Sequence, residues 1–277
     1  MSIRILTDPG CGLVKKELQA LRVTILPYVI THGPKTYVTK NAWDTITHNE
    51  QLKLFEEGNI PSFSRPPLGD WTPIIKGIFD SGDDILYLAI SQKTSNSISS
   101  INLIGNLLKE EYPDRAIKCI DTKLIGRAQG YLVKNAVALA KEDFSLEEIA
   151  QKILELKNNV RVVWLPRDRK VFQGCNRGDA SSIENAGTFG ALTCGPEGEF
   201  IPWKTFMTRY DAISYLEENF KEYPYVEISY TVGTNIPGGR KMEEKEFNFE
   251  HTKFFHMPPF TSSALGIDAQ EYTFIKE

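Results

Sequence analysis

Cysteine is scarce in these 277 residues, and its four copies, Cys11, Cys119, Cys175 and Cys194, stand far apart. No Cys-x-x-Cys pair exists, so spacing offers neither a zinc cage nor a thioredoxin-like dithiol. Reduced, mostly packed thiols are the expectation. Histidine is equally rare, with four copies. His251 and His256 lie five apart without a carboxylate or thiol at ligand spacing, and no metal site is expected. A basic excess is missing too. The 32 Lys plus Arg against 36 Asp plus Glu leave a formal net charge of −4 and a pI near 5.7, which argues against nucleic acid as a partner. No apolar run approaches the ~18 residues of a membrane span, and the opening Met1-Ser2-Ile3-Arg4-Ile5-Leu6-Thr7-Asp8 has no apolar signal region, so a cytoplasmic protein is expected. There is no internal repeat at 20 to 50 residues and no low-complexity stretch.

What is present is the balance of a globular chain able to bury a core: 41% hydrophobic, 25% charged and 11% aromatic residues. Against a soft prior of roughly 150 residues per domain, the length suggests two domains. The first half alternates short β-branched runs with amphipathic stretches, the pattern of a parallel sheet flanked by helices. Strands are predicted at 3–7, 23–30, 84–90 and 116–120, and helices at 13–21, 71–79, 98–108 and 125–140. The segment 43–57 is polar and is broken by Gly58 and Pro61. Ser145 and Glu148 have the spacing of a capping box that opens a helix to about Leu156. From Val160 the texture changes to short extended runs (160–165, 191–193, 200–203, 225–232) separated by Gly and Pro, with a helix at 209–220. Residues 237–250 read as a loop holding a short helix at most. The expected architecture is an N-terminal parallel α/β/α sandwich over residues 1–158 and a smaller α+β domain over 159–277.

In an open parallel sheet, ligands sit beyond the carboxyl ends of the strands. Three loops qualify: Thr7 to Gly12, Pro61 to Pro66, and Ser91 to Ser97. All offer hydroxyls and backbone N–H groups, and the third runs into a helix start suited to a carboxylate or phosphate. Each feature also has a plain structural role open to it. Ser95 or Ser97 could cap the helix from Ile98. Asp8 could brace its own turn. The run Gly126-Arg127-Ala128-Gln129-Gly130 lacks the Lys-Ser/Thr ending of a nucleotide loop. His256, in an apolar context, is either a satisfied packed side chain or a site residue.

Four blocks stand in order along the first half. Thr7-Asp8-Pro9-Gly10-Cys11-Gly12-Leu13 resembles Thr-Asp-Ser-x-Cys/Ser-x-Leu. Pro61-Ser62-Phe63-Ser64-Arg65-Pro66, followed by Gly69-Asp70-Trp71, resembles Pro-Thr-Thr-Ser-Gln-Pro-x-x-Gly-Asp/Glu-Trp/Phe. The stretch Ser91 to Ser100 is similar to Ser-Ser-Gly-Leu-Ser-Gly-Thr-Tyr-Gln-Ser. Asp121-Thr122-Lys123 with Gly126 and Gly130 is similar to Asp-Ser/Thr-Lys with Gly-x-x-x-Gly following. In this order the blocks resemble the DegV family of bacterial fatty-acid-binding proteins, which present an acyl chain to a separate fatty acid kinase. In the second half, 198–204 echoes Gly-Lys-Ile-x-Pro-x-x-Lys. Gly174-Cys175-Asn176-Arg177 stands for Gly-Gly-Arg-Ile. His256-Met257-Pro258-Pro259-Phe260 keeps the histidine of His-x-Gly-Pro-Gly but not its glycines.

The resemblance implies a long-chain, palmitate-like fatty acid in a tunnel between the two domains and no other cofactor. Its carboxylate would lie near Ser95, Asn96 and His256, with Ser62 keeping one hydroxyl and Phe63 replacing the second threonine. Asp8, Ser64 and Arg65 are secondary loop candidates. Arg177 and Arg209 are the nearest candidates for docking a kinase, with solvated surface charge as the alternative. Burying about fourteen methylenes at ~0.8 kcal/mol each would contribute about 11 kcal/mol gross, before ordering costs. A non-enzymatic carrier is the leading expectation. Two others stand beside it: an acyl hydrolase with Ser95 as nucleophile, His256 as base and Asp8 as orienter, and a divergent relative whose Arg65 selects another small acid.

Overall fold

The structure is a computed structural model that describes residues 2–39, 46–166, 189–231 and 249–276. Strand β1 (Ile3–Thr7) runs into a 3-10 turn at Pro9–Cys11, then helix α1 (Lys15–Leu21) and the short β2 (Thr24–Ile25). The run 23–30, expected as one strand, is split. Pro27 has no N–H to give a ladder, and its carbonyl is taken by the Trp71 indole N–H at 2.8 Å. Beyond it β3 (Val29–His32) and β4 (Lys35–Val38) leave for a separate antiparallel sheet. Helix α2 (His48–Glu56) follows, and β5 (Ser62–Ser64) completes that sheet in the order β4-β3-β5.

Helix α3 (Leu68–Asp80) leads to β6 (Asp84–Ala89), whose last five residues are all buried, as expected of a strand covered on both faces. Helix α4 (Ser97–Leu108), β7 (Ile117–Asp121), α5 (Arg127–Leu139) and α6 (Leu146–Leu156) complete the first half. The capping box of α6 forms as its sequence predicts: Ser145 accepts from Glu148 N, and Ser145 N donates to Glu148 Oε2 at 2.7 Å. The main sheet has the order β2-β1-β6-β7, with every pair parallel.

Strand β8 (Val160–Leu165) opens a second sheet with β9 (Phe189–Cys194) and β10 (Phe200–Phe206). Helix α7 (Arg209–Asn219), β11 (Tyr225–Tyr230), β12 (His251–His256), α8 (Pro259–Leu265) and β13 (Gln270–Ile275) follow, and the sheet order is β10-β9-β8-β13-β11-β12. The alternation of β8 divides the core. Val160, Val162 and Trp164 join the large cluster of the parallel-sheet half, whereas Val163 and Leu165 face a second cluster with Leu216 of α7. Met257 and Phe260 also join the first cluster, and the Gln51 amide of α2 donates to the Pro259 carbonyl and Ser263 of α8. The two halves therefore share one core. Residues 237–248 and the segment 43–45 lie outside the described residues. Strands β12 and β13 and helix α8 do not follow from apolar periodicity. All six residues of β13 are buried, yet Gln270, Glu271 and Thr273 are polar.

Candidate functional site

Strands β1 and β6 are neighbours whose onward connections leave in opposite directions, β1 towards β2 and β6 towards β7. Such a switch point opens a crevice beyond the carboxyl ends of the two strands. Asp8 sits in that crevice, fully buried. Its carboxylate accepts Ile90 N at 2.6 Å, Gly10 N at 3.0 Å, the Tyr87 hydroxyl at 3.3 Å and Gln129 Nε2 at 3.4 Å. Burial pushes its carboxyl up to about 6, and those donors hold it from rising further. Asp8 thus staples the end of β1 to the end of β6 and braces its own turn.

Above this staple runs the loop from Ser91 into α4. The helix starts at Ser97, one residue before the sequence predicts, and its cap position is Asn96 with no side-chain cap bond. Neither Ser95 nor Ser97 caps it. The Asn96 side chain is occupied by Ser99, whose hydroxyl donates to Oδ1 at 2.6 Å. Among the described residues the amide groups of the first turn therefore have no side-chain acceptor, and the helix dipole gives that end a partial positive charge. Ser95 is half-buried, its amide donates to Ser91 O, and its Oγ lies 3.1 Å from the Tyr28 hydroxyl.

The loop around β5 borders the same place. The Arg65 guanidinium donates to Asn96 O at 3.2 Å and to Ser100 Oγ, so a cation stands at the N-terminal turn of α4. Phe63 packs edge-on against Phe260, with ring centroids 4.9 Å apart, and Phe260 packs in turn on Tyr28 at 5.8 Å. Phe63 of β5, Phe260 of α8 and Tyr28, which precedes β3, therefore form an aromatic cluster that meets Ser95 through the Tyr28 hydroxyl. Ser62 and Ser64 are exposed, with Ser62 Oγ 3.4 Å from Thr31 O. From the second half, the β9–β10 turn closes over the rim. Gly198, at φ +83°, leaves so little room that an added Cβ would lie 2.3 Å from Ser91 Oγ, and Lys123 pairs with Glu197 at 3.0 Å.

Among the described residues the hydrogen-bond partner of Ser95 Oγ is Tyr28, and His256 is exposed at the end of β12 with its ring on Tyr230, centroids 4.7 Å apart. Arg209 is half-buried and donates to the Asp268 carbonyl, so it is not a freely solvated charge. Arg177 and Cys175 lie outside the described residues. The described cysteines, Cys11, Cys119 and Cys194, are free thiols, and burial pushes Cys11 up to about 12. Among the described residues no group of His, Cys, Asp and Glu is arranged to hold a metal ion, and no helix is long and apolar enough to cross a membrane.

One cluster is not among the candidates the sequence offers. Arg127, at the start of α5, has no exposed surface. Its guanidinium donates to both oxygens of Glu17 at 2.6 and 2.9 Å, to Glu227 Oε2 at 2.8 Å and to Gly12 O at 3.1 Å, and it stacks over Phe255 at 3.6 Å. Lys134 reaches the other oxygen of Glu227. Burial opposes the charge on Arg127, but Glu17 and Glu227 outweigh it and raise its pKa. This junction joins α1 and α5 to β11 and β12 across the two halves. The one sequence signal for it was the glycine beside Arg127. Gly126, at φ +71°, lets Glu271 of β13 approach to where a Cβ would stand 2.3 Å from its carboxylate.

Residues 2–170 match the sequence model described as "Uncharacterised protein, DegV family". The chain belongs to the DegV family. It is 29% identical over 156 residues to a DegV domain-containing protein of Clostridium perfringens, covering 56% of this chain and 53% of that one. A DegV domain-containing protein of Lactococcus lactis is 24% identical over 156 residues, 56% of this chain and 54% of its own. The chain spans about half the length of the curated relatives it matches. Among solved structures, a DegV family protein from Thermus thermophilus described for its fatty acid binding superposes with a TM-score of 0.83 at 20% identity over 100% of both chains. DegV from Bacillus subtilis, described as a fatty acid binding protein, gives 0.82 at 19% identity, again over 100% of both. A stearic acid-binding protein from Eubacterium ventriosum gives 0.81 at 20% identity over 99% of this chain and 98% of its own. At these identities the likeness is one of fold. This DegV chain has the parallel sheet flanked by helices and the sheet-rich C-terminal region expected from its sequence.

Proposed function

We propose that this chain is a carrier that holds a long-chain fatty acid between its parallel-sheet half and its sheet-rich half, with the carboxylate at Ser95. The observation that carries this reading is the half-buried Ser95 hydroxyl at the uncapped start of α4, beside Arg65 and walled by Tyr28, Phe63 and Phe260. A carboxylate leaving water needs donors and positive potential, and an acyl tail needs an apolar wall. Both are offered within one loop cluster. The fold likeness to proteins described with stearic and heptadecanoic acids supports the same ligand class. Ser62, Asn96 and His256 are further head-group candidates on the same loops and on the end of β12.

On this reading the chain acts by binding its acid and presenting the carboxylate end to a separate kinase in the cytoplasm. Hydrolysis is disfavoured by two contacts. Asp8 spends its carboxylate on Ile90, Gly10, Gln129 and Tyr87, so it does not orient His256, and Ser95 Oγ is bonded to Tyr28 rather than to a base. The test is mass spectrometry of the protein purified without added lipid, under native conditions and after solvent extraction. One bound fatty acid per chain is the expected result. A chain that is empty and takes up no palmitate on incubation overturns the reading, and turnover of an acyl ester that depends on Ser95 would replace it with the hydrolase.

A further inference from the structure

Tyr28 carries no motif, and nothing in its sequence neighbourhood marks it. In the structure it is 2% exposed and held from every side. Its amide donates to Thr39 Oγ1 at 2.9 Å, and its carbonyl accepts Thr39 N at 2.7 Å. Its ring lies 5.8 Å from Trp71 and 5.8 Å, edge-on, from Phe260. A phenol fixed this firmly has one orientation for its oxygen, and that oxygen meets Ser95 Oγ at 3.1 Å.

The neighbouring hydroxyls decide where its proton goes. Tyr87 spends its proton on Asp8 Oδ2. Ser97 is fully buried beside both phenols, and its Oγ has no partner at hydrogen-bonding geometry. Ser95 Oγ is the hydroxyl oxygen within bonding distance of the Tyr28 phenol. Burial raises the pKa of Tyr28, so its hydroxyl stays protonated throughout the physiological range. Between a phenol and an aliphatic hydroxyl the phenol is the stronger acid, and only one proton fits on the line between their oxygens. A serine that accepts on one side is polarised as a donor on the other.

We propose that Tyr28 is the positioning residue of the acyl head-group site: its hydroxyl donates to Ser95 Oγ and turns the Ser95 proton outward, towards a carboxylate oxygen. The assignment rests on the reading of Ser95 as head-group ligand and deepens it. It makes the site selective for an acceptor with negative charge, because the serine presents a proton rather than a lone pair.

Tyr28→Phe removes the hydroxyl and keeps the ring between Trp71 and Phe260, so the packing is preserved. Palmitate and 1-hexadecanol, which share a tail, are titrated against wild type, Tyr28→Phe, Ser95→Ala and the double variant, with melting temperatures as a check on folding. A hydrogen bond of ordinary net strength corresponds to a change of up to about tenfold in affinity. The expected result is a loss of about 5- to 10-fold for palmitate in Tyr28→Phe, a smaller loss for hexadecanol, and no further loss when the substitution is added to Ser95→Ala. Unchanged palmitate affinity in Tyr28→Phe, or the same loss in the presence and absence of Ser95, overturns the positioning role while leaving the carrier reading standing. A wild-type chain that binds neither compound overturns the carrier reading and this role with it.

Discussion

The Glu271 carboxylate receives the backbone N–H of Arg127 from 144 residues away, while the guanidinium of that same arginine turns aside to Glu17 and Glu227. One residue therefore ties the sheet-rich half to the parallel-sheet half twice, through its backbone and through its side chain. Removing the guanidinium would leave Glu17, Glu227 and Lys134 packed without their central partner. Breaking a buried pair on one side typically costs about 3–5 kcal/mol. Arg127→Met should therefore lower unfolding free energy by about that much in urea denaturation. A loss under about 1 kcal/mol would mean that the apolar core, and not this junction, holds the halves together.

The same junction sets a pH dependence. Burial pushes Glu271 from 4.5 up to about 7, with Arg127, Thr273 and Trp164 offsetting part of the effect, and pushes Asp8 from 3.8 up to about 6. Each group binds its proton more tightly when folded than when unfolded. Their contribution to stability is therefore complete below the unfolded values and is lost as pH rises through the folded ones. Between about pH 4.5 and 7 Glu271 should make the protein less stable as pH increases. Glu271→Gln keeps an acceptor for Arg127 N and cannot ionise, so its melting temperature should fall less than that of wild type across this window. Parallel melting profiles for the two proteins would show that Glu271 does not titrate there.

Ser145→Ala offers a contrast, because it removes a cap far from both the junction and Ser95. Loss of an N-cap costs about 1 kcal/mol. The variant should melt a few degrees lower and bind palmitate as wild type does. Weakened palmitate binding would show that the site responds to general loss of stability, which a thermal shift series on this variant would reveal.

Local patterns carried the parallel-sheet half: the continuous apolar run that buries β6 on both faces, the Ser145–Glu148 box of α6 and the loops beyond β1 and β6 are all readable from neighbouring residues. What resisted reading was non-local. Pro27 divides a run that looks continuous because its carbonyl is claimed by Trp71, 44 residues on. Strand β13 looks too polar for a central strand because Glu271 serves Arg127 and not solvent. At the site, the loop serine was legible from its position before an amphipathic helix. Tyr28 was not, since its role depends on a contact across 67 residues. Phe63 was legible as a change in a polar loop, and its partner Phe260 was not.

Arg65 stands in the place where the resemblance supplies a neutral glutamine, and its contacts allow two roles to be separated. It braces the start of α4 through Asn96 O and Ser100 Oγ, and it also places a positive charge beside the uncapped helix end. An exposed ion pair between a guanidinium and a carboxylate contributes about 0.3–1 kcal/mol, which corresponds to about 2- to 5-fold in affinity. Arg65→Gln keeps a donor for the brace and deletes the charge. If the charge attracts the carboxylate, palmitate affinity should fall by that factor at low salt, and the difference should close as ionic strength approaches 1 M, where the screening length is about 3 Å. A loss that persists unchanged at high salt would assign Arg65 to the brace alone. No loss at any salt would leave the head group to Ser95 and the amide groups of α4.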